Sequence, residues 1–167
     1  MGSGKSYLGK ILSHKMDIPL IDLDDWIEKK YGHSIASIFA SEGEDAFRKM
    51  ETAALVELDQ MNKDRKHLLI ATGGGAPCFN GNMEWMNQTG MTVWLNPPIE
   101  TLLNRLSGEK QQRPLIAGLS PDELKDFVQQ KLKDRNHFYN QAMLKVDQAD
   151  VDVAGLINQI KHASDIQ

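Results

Sequence analysis

Met1–Ser6 reads MGSGKS, and Gly4-Lys5-Ser6 supplies the last three positions of the phosphate-binding pattern G-x-x-x-x-G-K-[ST]. In that pattern a buried strand runs into a glycine-rich turn and then a helix. Backbone N–H groups at the helix start hold phosphate oxygens, the lysine reaches the outer phosphates, and the hydroxyl serves Mg²⁺. The first glycine of the pattern would fall two residues before Met1. Three residues are a weak match by themselves, and a flexible amino-terminal tail would read the same, so the rest of the chain has to decide.

Working outward, Leu8, Ile11, Leu12 and Lys15 recur at helical spacing directly after the turn. IPLIDLD (18–24) reads as a buried strand with acids at its carboxyl end. Asp25 to Tyr31 and Ser34 to Ala40 read as short helices. Ser41 and Glu44 form an S-x-x-E capping box ahead of a helix with Phe47, Met50, Ala54, Leu55 and Leu58 on its buried stripe. HLLIATGGG is a second strand entering three glycines, and MTVWLNPP a third, stopped by paired prolines. Thr101 to Leu106 is helical, and SGEKQQRPLIAGLSPDE is polar, punctuated by glycine and proline, and long enough for a mobile flap. Pro121 opens a helix to about Asn136, AMLKVD is a fourth strand, and Val153 to His162 a last helix. Strands alternating with helices predict an α/β three-layer fold with a mostly parallel sheet in one domain, residues 1–167.

Composition fits a single globular domain. The 167 residues are 41% hydrophobic and 25% charged, enough for one domain to bury a core without cross-links. The single cysteine, Cys78, has no partner in the chain, and no signal-like leader is visible, which predicts a reducing cytoplasm. No apolar run approaches the ~20 residues of a membrane span. A net charge of −4 argues against a nucleic-acid partner. Met1–Ser6 also fits the myristoylation pattern M-G-x-x-x-[ST], but no polybasic second signal follows.

Several residues are candidates for chemistry. Asp22, Asp24 and Asp25 lie at or past a strand end, where ligands bind in open α/β sheets. Asp25 is the preferred cap of the following helix, while Asp22 and Asp24, two apart, share a strand face and repel unless a cation such as Mg²⁺ is near. Arg48 and Glu51 are i,i+3 helix neighbours, for which a solvated surface pair is the usual explanation. Gly73, Gly74 and Gly75 follow a strand, where missing side chains let a ligand approach the backbone, though a plain turn would look alike. Arg113 in the flap and Arg135 before the last strand would each, alone, be surface charges.

Taken in order, GSGKS, IDLDDWIE, GHSIASIF, GEDAFRKME, TGGGAP and QRPLI match six motifs of one family, and the chain resembles shikimate kinase over nearly its whole length. The resemblance implies a P-loop kinase fold whose five parallel strands run 2-3-1-4-5, with the first strand not among those counted here. It implies transfer of the γ-phosphoryl group of ATP to the 3-hydroxyl of shikimate, with Mg²⁺, in aromatic amino acid biosynthesis. The protein would be a cytoplasmic monomer with neither nucleic-acid nor membrane partner.

Site roles implied by the resemblance are specific. Asp24 orients or deprotonates the attacking hydroxyl, and Asp22 with Ser6 holds Mg²⁺. Arg48 and Arg135 grip the substrate carboxylate, Glu51 steadies Arg48, and Gly73, Gly74 and Gly75 form a backbone wall. Gly2, Ser3, Gly4, Lys5, Ser6 and Tyr7 contact the nucleotide, Arg105 stacks on adenine, and Arg113 closes over the phosphates. The substrate-binding region would span about 25–58 and the lid about 107–120. Two other readings are a catalytically impaired nucleotide- or shikimate-binding module and a small P-loop kinase for gluconate or a nucleoside monophosphate. Because the pattern's first glycine and its strand precede Met1, the expectation is roughly ten further residues upstream. That strand would lie between those ending at Gly73 and starting at Met91.

Overall fold

The structure, a computed structural model, describes residues 2–63, 67–108 and 114–164. Two compact units emerge, one of residues 5–90 and one of the first four residues with 91–167.

In the 5–90 unit, α1 (Lys5–Met16) leads to β1 (Leu20–Asp22), α2 (Leu23–Tyr31), α3 (Ile35–Ser41), α4 (Gly43–Met61), β2 (Leu69–Ala71) and α5 (Asn82–Thr89). β1 and β2 pair in parallel, with Leu20 opposite Leu69 and Asp22 opposite Ala71. The core is the predicted stripe of α4, Phe47, Ala54, Leu55 and Leu58, packed with Leu23, Ile27 and Ile38.

The first strand is shorter than the apolar run suggested, and the reason lies in Asp22. Its backbone is extended (φ −85°, ψ 124°) and its carboxylate accepts the Asp24 N–H at 3.1 Å, which makes Asp22, not Asp25, the N-cap of α2. Asp24 therefore sits in the first turn of a helix, not on a strand face shared with Asp22. A first turn carrying Asp24 and Asp25 suits the positive end of the helix dipole. Gly32, in the left-handed region at φ 72°, closes the far end by donating to the Glu28 carbonyl.

The capping box expected at Ser41 does not form. Ser41 is the last residue of α3, its hydroxyl donates to the Ser37 carbonyl at 2.9 Å, and α4 starts at Gly43 without a side-chain cap. A capping box does form at Ser120 and Glu123, opening the helix that starts at Pro121.

The second unit holds β3 (Val93–Leu95), α6 (Ile99–Gly108), α7 (Pro121–Tyr139), β4 (Leu144–Val146) and α8 (Val153–Ser164). β3 and β4 are also parallel, Val93 facing Leu144. The flap is not wholly open chain: Pro114–Ile116 makes a 3-10 turn, and Ile116 is buried with Leu102, Leu106, Leu124 and Val128. Residues 109–113, including Arg113, lie outside the described residues. All four strands expected are present among the described residues, as two parallel pairs: β2 pairs with β1 and β3 with β4.

Candidate active site

The carboxyl end of β1 and the start of α1 build one cluster in the 5–90 unit. Ser6, in the first turn of α1, donates its hydroxyl to Asp22 Oδ2 at 3.2 Å, while Asp22 Oδ1 caps α2. One carboxylate thus ties the lysine-serine turn to the helix that carries Asp24. Burial, and then the negative charge of Asp22, push the Asp24 carboxyl above its ordinary pKa; Lys5 works against the rise, and Asp25 and Glu28 add to it. Ser6 and Asp22 present two oxygen donors at one spot, a hard, oxygen-only set that fits Mg²⁺, which keeps most of its own waters and takes few protein ligands.

Gly73 faces Asp24 of this cluster, and Gly75 faces Arg48. A Cβ on Gly73 would sit 3.3 Å from both Asp24 Oδ1 and Glu51 Oε1. On Gly75 it would sit 2.5 Å from Arg48 Nη1 and 2.8 Å from its Cζ, closer than any side chain tolerates. The absence of side chains here is a requirement of packing: the charged groups of Asp24, Glu51 and Arg48 rest against bare backbone.

Arg48 and Glu51 are not a solvated pair. Arg48 is 9% exposed and Glu51 1%, with Nη1 donating to Glu51 Oε2 at 2.7 Å. The other edge of the guanidinium meets Glu44, whose Oε1 accepts from Nε at 3.1 Å and Nη2 at 2.7 Å. Burial works against the charged form, but the hydrogen bonds Arg48 donates to Glu51 and Glu44 outweigh it and hold its pKa above the ordinary value. The rings of Phe79, Phe47 and Phe39 lie 4.4, 5.3 and 5.9 Å from the guanidinium carbon. Asn80, in the left-handed region at φ 53°, donates to the Arg48 carbonyl at 3.1 Å and to Thr52 at 3.0 Å, fixing the glycine segment's exit against α4. Sequence reading missed Glu44, Phe39, Phe79 and Asn80 as neighbours of the arginine. An Asn-Gly pair after the glycines was the one visible signal, for a left-handed turn.

Of the residues singled out from sequence, Lys5, Ser6, Asp22, Asp24, Arg48, Glu51, Gly73, Gly74 and Gly75 belong to this unit, and Tyr7 is exposed on α1. Gly2, Ser3, Gly4, Arg105 and Arg135 belong to the other. There, Arg105 Nη1 donates to the carbonyls of Gly2 at 3.3 Å and Ser3 at 3.2 Å, while Nη2 donates to Ala149 at 3.3 Å. Gly2 and Gly4 hold φ of 69° and 90°, and a Cβ on Gly4 would come 3.3 Å from the same guanidinium. Arg135 is half-buried on α7.

A lysine-serine turn opening a helix, beside a capping aspartate and a second, half-buried one in an α/β fold, defines a phosphotransferase of the P-loop kinase class. A sequence profile of shikimate kinase matches residues 1–164. The shikimate kinase of Bacteroides thetaiotaomicron is 45% identical over 142 residues, 85% of this chain and 79% of that one. That of Parabacteroides distasonis is 40% identical over 163 residues, 98% and 92%. Among solved structures, a shikimate kinase from Bacteroides thetaiotaomicron superposes with a TM-score of 0.87 at 38% identity, covering 99% of this chain and 94% of the other. Shikimate kinase from Acinetobacter baumannii in complex with shikimate gives 0.78 at 34%, covering 98% and 87%. The chain belongs to the shikimate kinase family.

Proposed function

We propose that this protein transfers the γ-phosphoryl group of ATP to the 3-hydroxyl of shikimate, giving shikimate 3-phosphate and ADP on the route to chorismate and aromatic amino acids. It works as a cytoplasmic monomer, and its residues 1–167 act as one domain, with substrate held by about 25–58 and covered by a lid at about 107–120. The observation that carries the reading is the stretch Gly73–Gly75, against which Asp24 and the buried, charged Arg48 both lie. It offers a carboxylate for a hydroxyl and a guanidinium for a carboxylate along one bare backbone wall.

Phosphoryl transfer asks a protein mainly for alignment and for neutralisation of spreading negative charge. Lys5 and the N–H groups at the start of α1 take the phosphate oxygens, joined by Gly2, Ser3, Gly4 and Tyr7. Ser6 and Asp22 hold Mg²⁺, which when bound screens the charge between phosphate groups. Asp24 accepts or orients the proton of the 3-hydroxyl, a task its raised pKa suits by making the carboxylate a better base. Arg48 and Arg135 bind the ring carboxylate, Arg113 closes on the phosphates and excludes water, and Arg105 stacks on adenine.

The test is ADP release with shikimate, gluconate and nucleoside monophosphates as acceptors. Shikimate is expected to dominate kcat/KM. A higher kcat/KM with gluconate or a nucleotide overturns the assignment, and no release with any acceptor marks a binding module instead.

The glycine wall gives a sharper check. Gly75 has an ordinary backbone (φ −85°), so Gly75→Ala is free of backbone strain and acts only through its Cβ against Arg48. Misplacing one charged hydrogen-bond donor costs about 1.5–3 kcal/mol. Shikimate affinity measured by calorimetry is therefore expected to fall roughly tenfold or more. Unchanged affinity would mean that the ring binds elsewhere.

A further inference from the structure

The two carboxylates on Arg48 differ in kind. Glu51 is 1% exposed and takes Nη1 from inside the core, whereas the Glu44 side chain is 54% exposed and takes Nε and Nη2 through a single oxygen. Nε and Nη2 form an edge of the guanidinium that a carboxylate engages with two parallel hydrogen bonds. In this structure Glu44 occupies that edge. Arg48, Glu44 and Glu51 together carry one positive and two negative charges, so an incoming anion meets a net repulsive trio for as long as Glu44 stays.

We infer that Glu44 is a placeholder for the carboxylate of the substrate, a counterion that leaves the Arg48 fork when shikimate binds and competes with it when shikimate is absent. This rests on the proposed binding of the substrate carboxylate by Arg48. Glu44 can leave because it is solvent-exposed and in the first turn of α4, where the helix dipole and water accommodate a freed carboxylate. Glu51 cannot leave, since it is enclosed and would carry its charge into the core. The contact holds Arg48 over the Phe79 ring with both edges bonded. The same contact lowers substrate affinity by the competition it sets up.

The experiment compares shikimate with its methyl ester, which has the same ring and hydroxyls but no anionic carboxylate, on the full chain and its Glu44→Gln and Glu44→Ala variants. Binding is read by calorimetry, and folding by cooperative melting. Glu44→Gln is expected to bind shikimate about three- to tenfold more tightly, with the ester's affinity unchanged within twofold. Glu44→Ala should show the same selectivity for the free acid. Affinity for shikimate that is equal or weaker in both variants overturns the inference, as does an equal gain for the ester, which would mean a steric or folding effect. Arg48→Lys is the control for the underlying reading. If it leaves shikimate affinity intact, Arg48 does not bind the carboxylate at all; if it weakens binding while the Glu44 variants change nothing, that reading stands and the placeholder fails.

Discussion

Asp24→Asn is expected to lower turnover by on the order of a hundredfold or more while leaving ATP affinity nearly unchanged. The amide preserves shape and the first turn of α2 but removes the negative charge that takes or steers the hydroxyl proton. The direction of the pKa shift adds two further expectations. Burial and Asp22 raise the Asp24 pKa, so the ionised form is disfavoured in the folded protein, and activity is lost on acidification at a higher pH than for an ordinary aspartate. A raised acid pKa also means that, above it, the charge weakens the fold, and that this weakening vanishes as the group protonates. The amide variant should therefore melt at or above the wild type at neutral pH and converge with it in acid. Turnover within threefold of wild type, or an acid limb that persists in the variant, removes Asp24 from the proton path.

Replacing Arg48 with Ala should produce the largest loss of substrate affinity, roughly 2–5 kcal/mol for one partner of a desolvated charge pair. Part of any measured effect would belong to the fold, because the substitution strands Glu51, 1% exposed, without its guanidinium. Breaking a buried pair in this way costs about 3–5 kcal/mol of stability. Arg48→Lys separates the two losses: it keeps a cation beside Glu51 and gives up the planar fork, so melting should change little while shikimate KM rises. Arg135→Ala should weaken shikimate binding without the stability loss. Unchanged shikimate affinity in both Arg48→Lys and Arg135→Ala would remove these arginines from substrate binding.

The strands were legible because each is an apolar run that ends in acids, glycines or prolines, and the α4 stripe because Phe47, Ala54, Leu55 and Leu58 hold helical spacing. What misled was competition for polar side chains. The Ser41-x-x-Glu44 pattern is a real capping signal, but Glu44 is taken by Arg48, and Ser41 ends the preceding helix instead of starting the next. Asp24 was read onto a strand because nothing in a run of three acids tells which one caps, and the choice of Asp22 was settled by its second bond, to Ser6. The i,i+3 spacing of Arg48 and Glu51 was correct and their burial was invisible, since it depends on Phe39 and Phe79 arriving from α3 and from the turn after the glycines. Spacing within one helix carries no information about which aromatic rings close over it.

Bare backbone at Gly73 and Gly75 has a consequence for how such a site can diverge. A methyl group at Gly75 would displace the Arg48 guanidinium, and one at Gly73 would press on Asp24 and Glu51, so neither can be varied without moving a charged side chain as well. A change in acceptor preference is then expected first around Arg48, where Glu44, Phe39 and Phe79 can change size or charge individually. One side of the site is frozen by what leans on it, and the other remains open to gradual change.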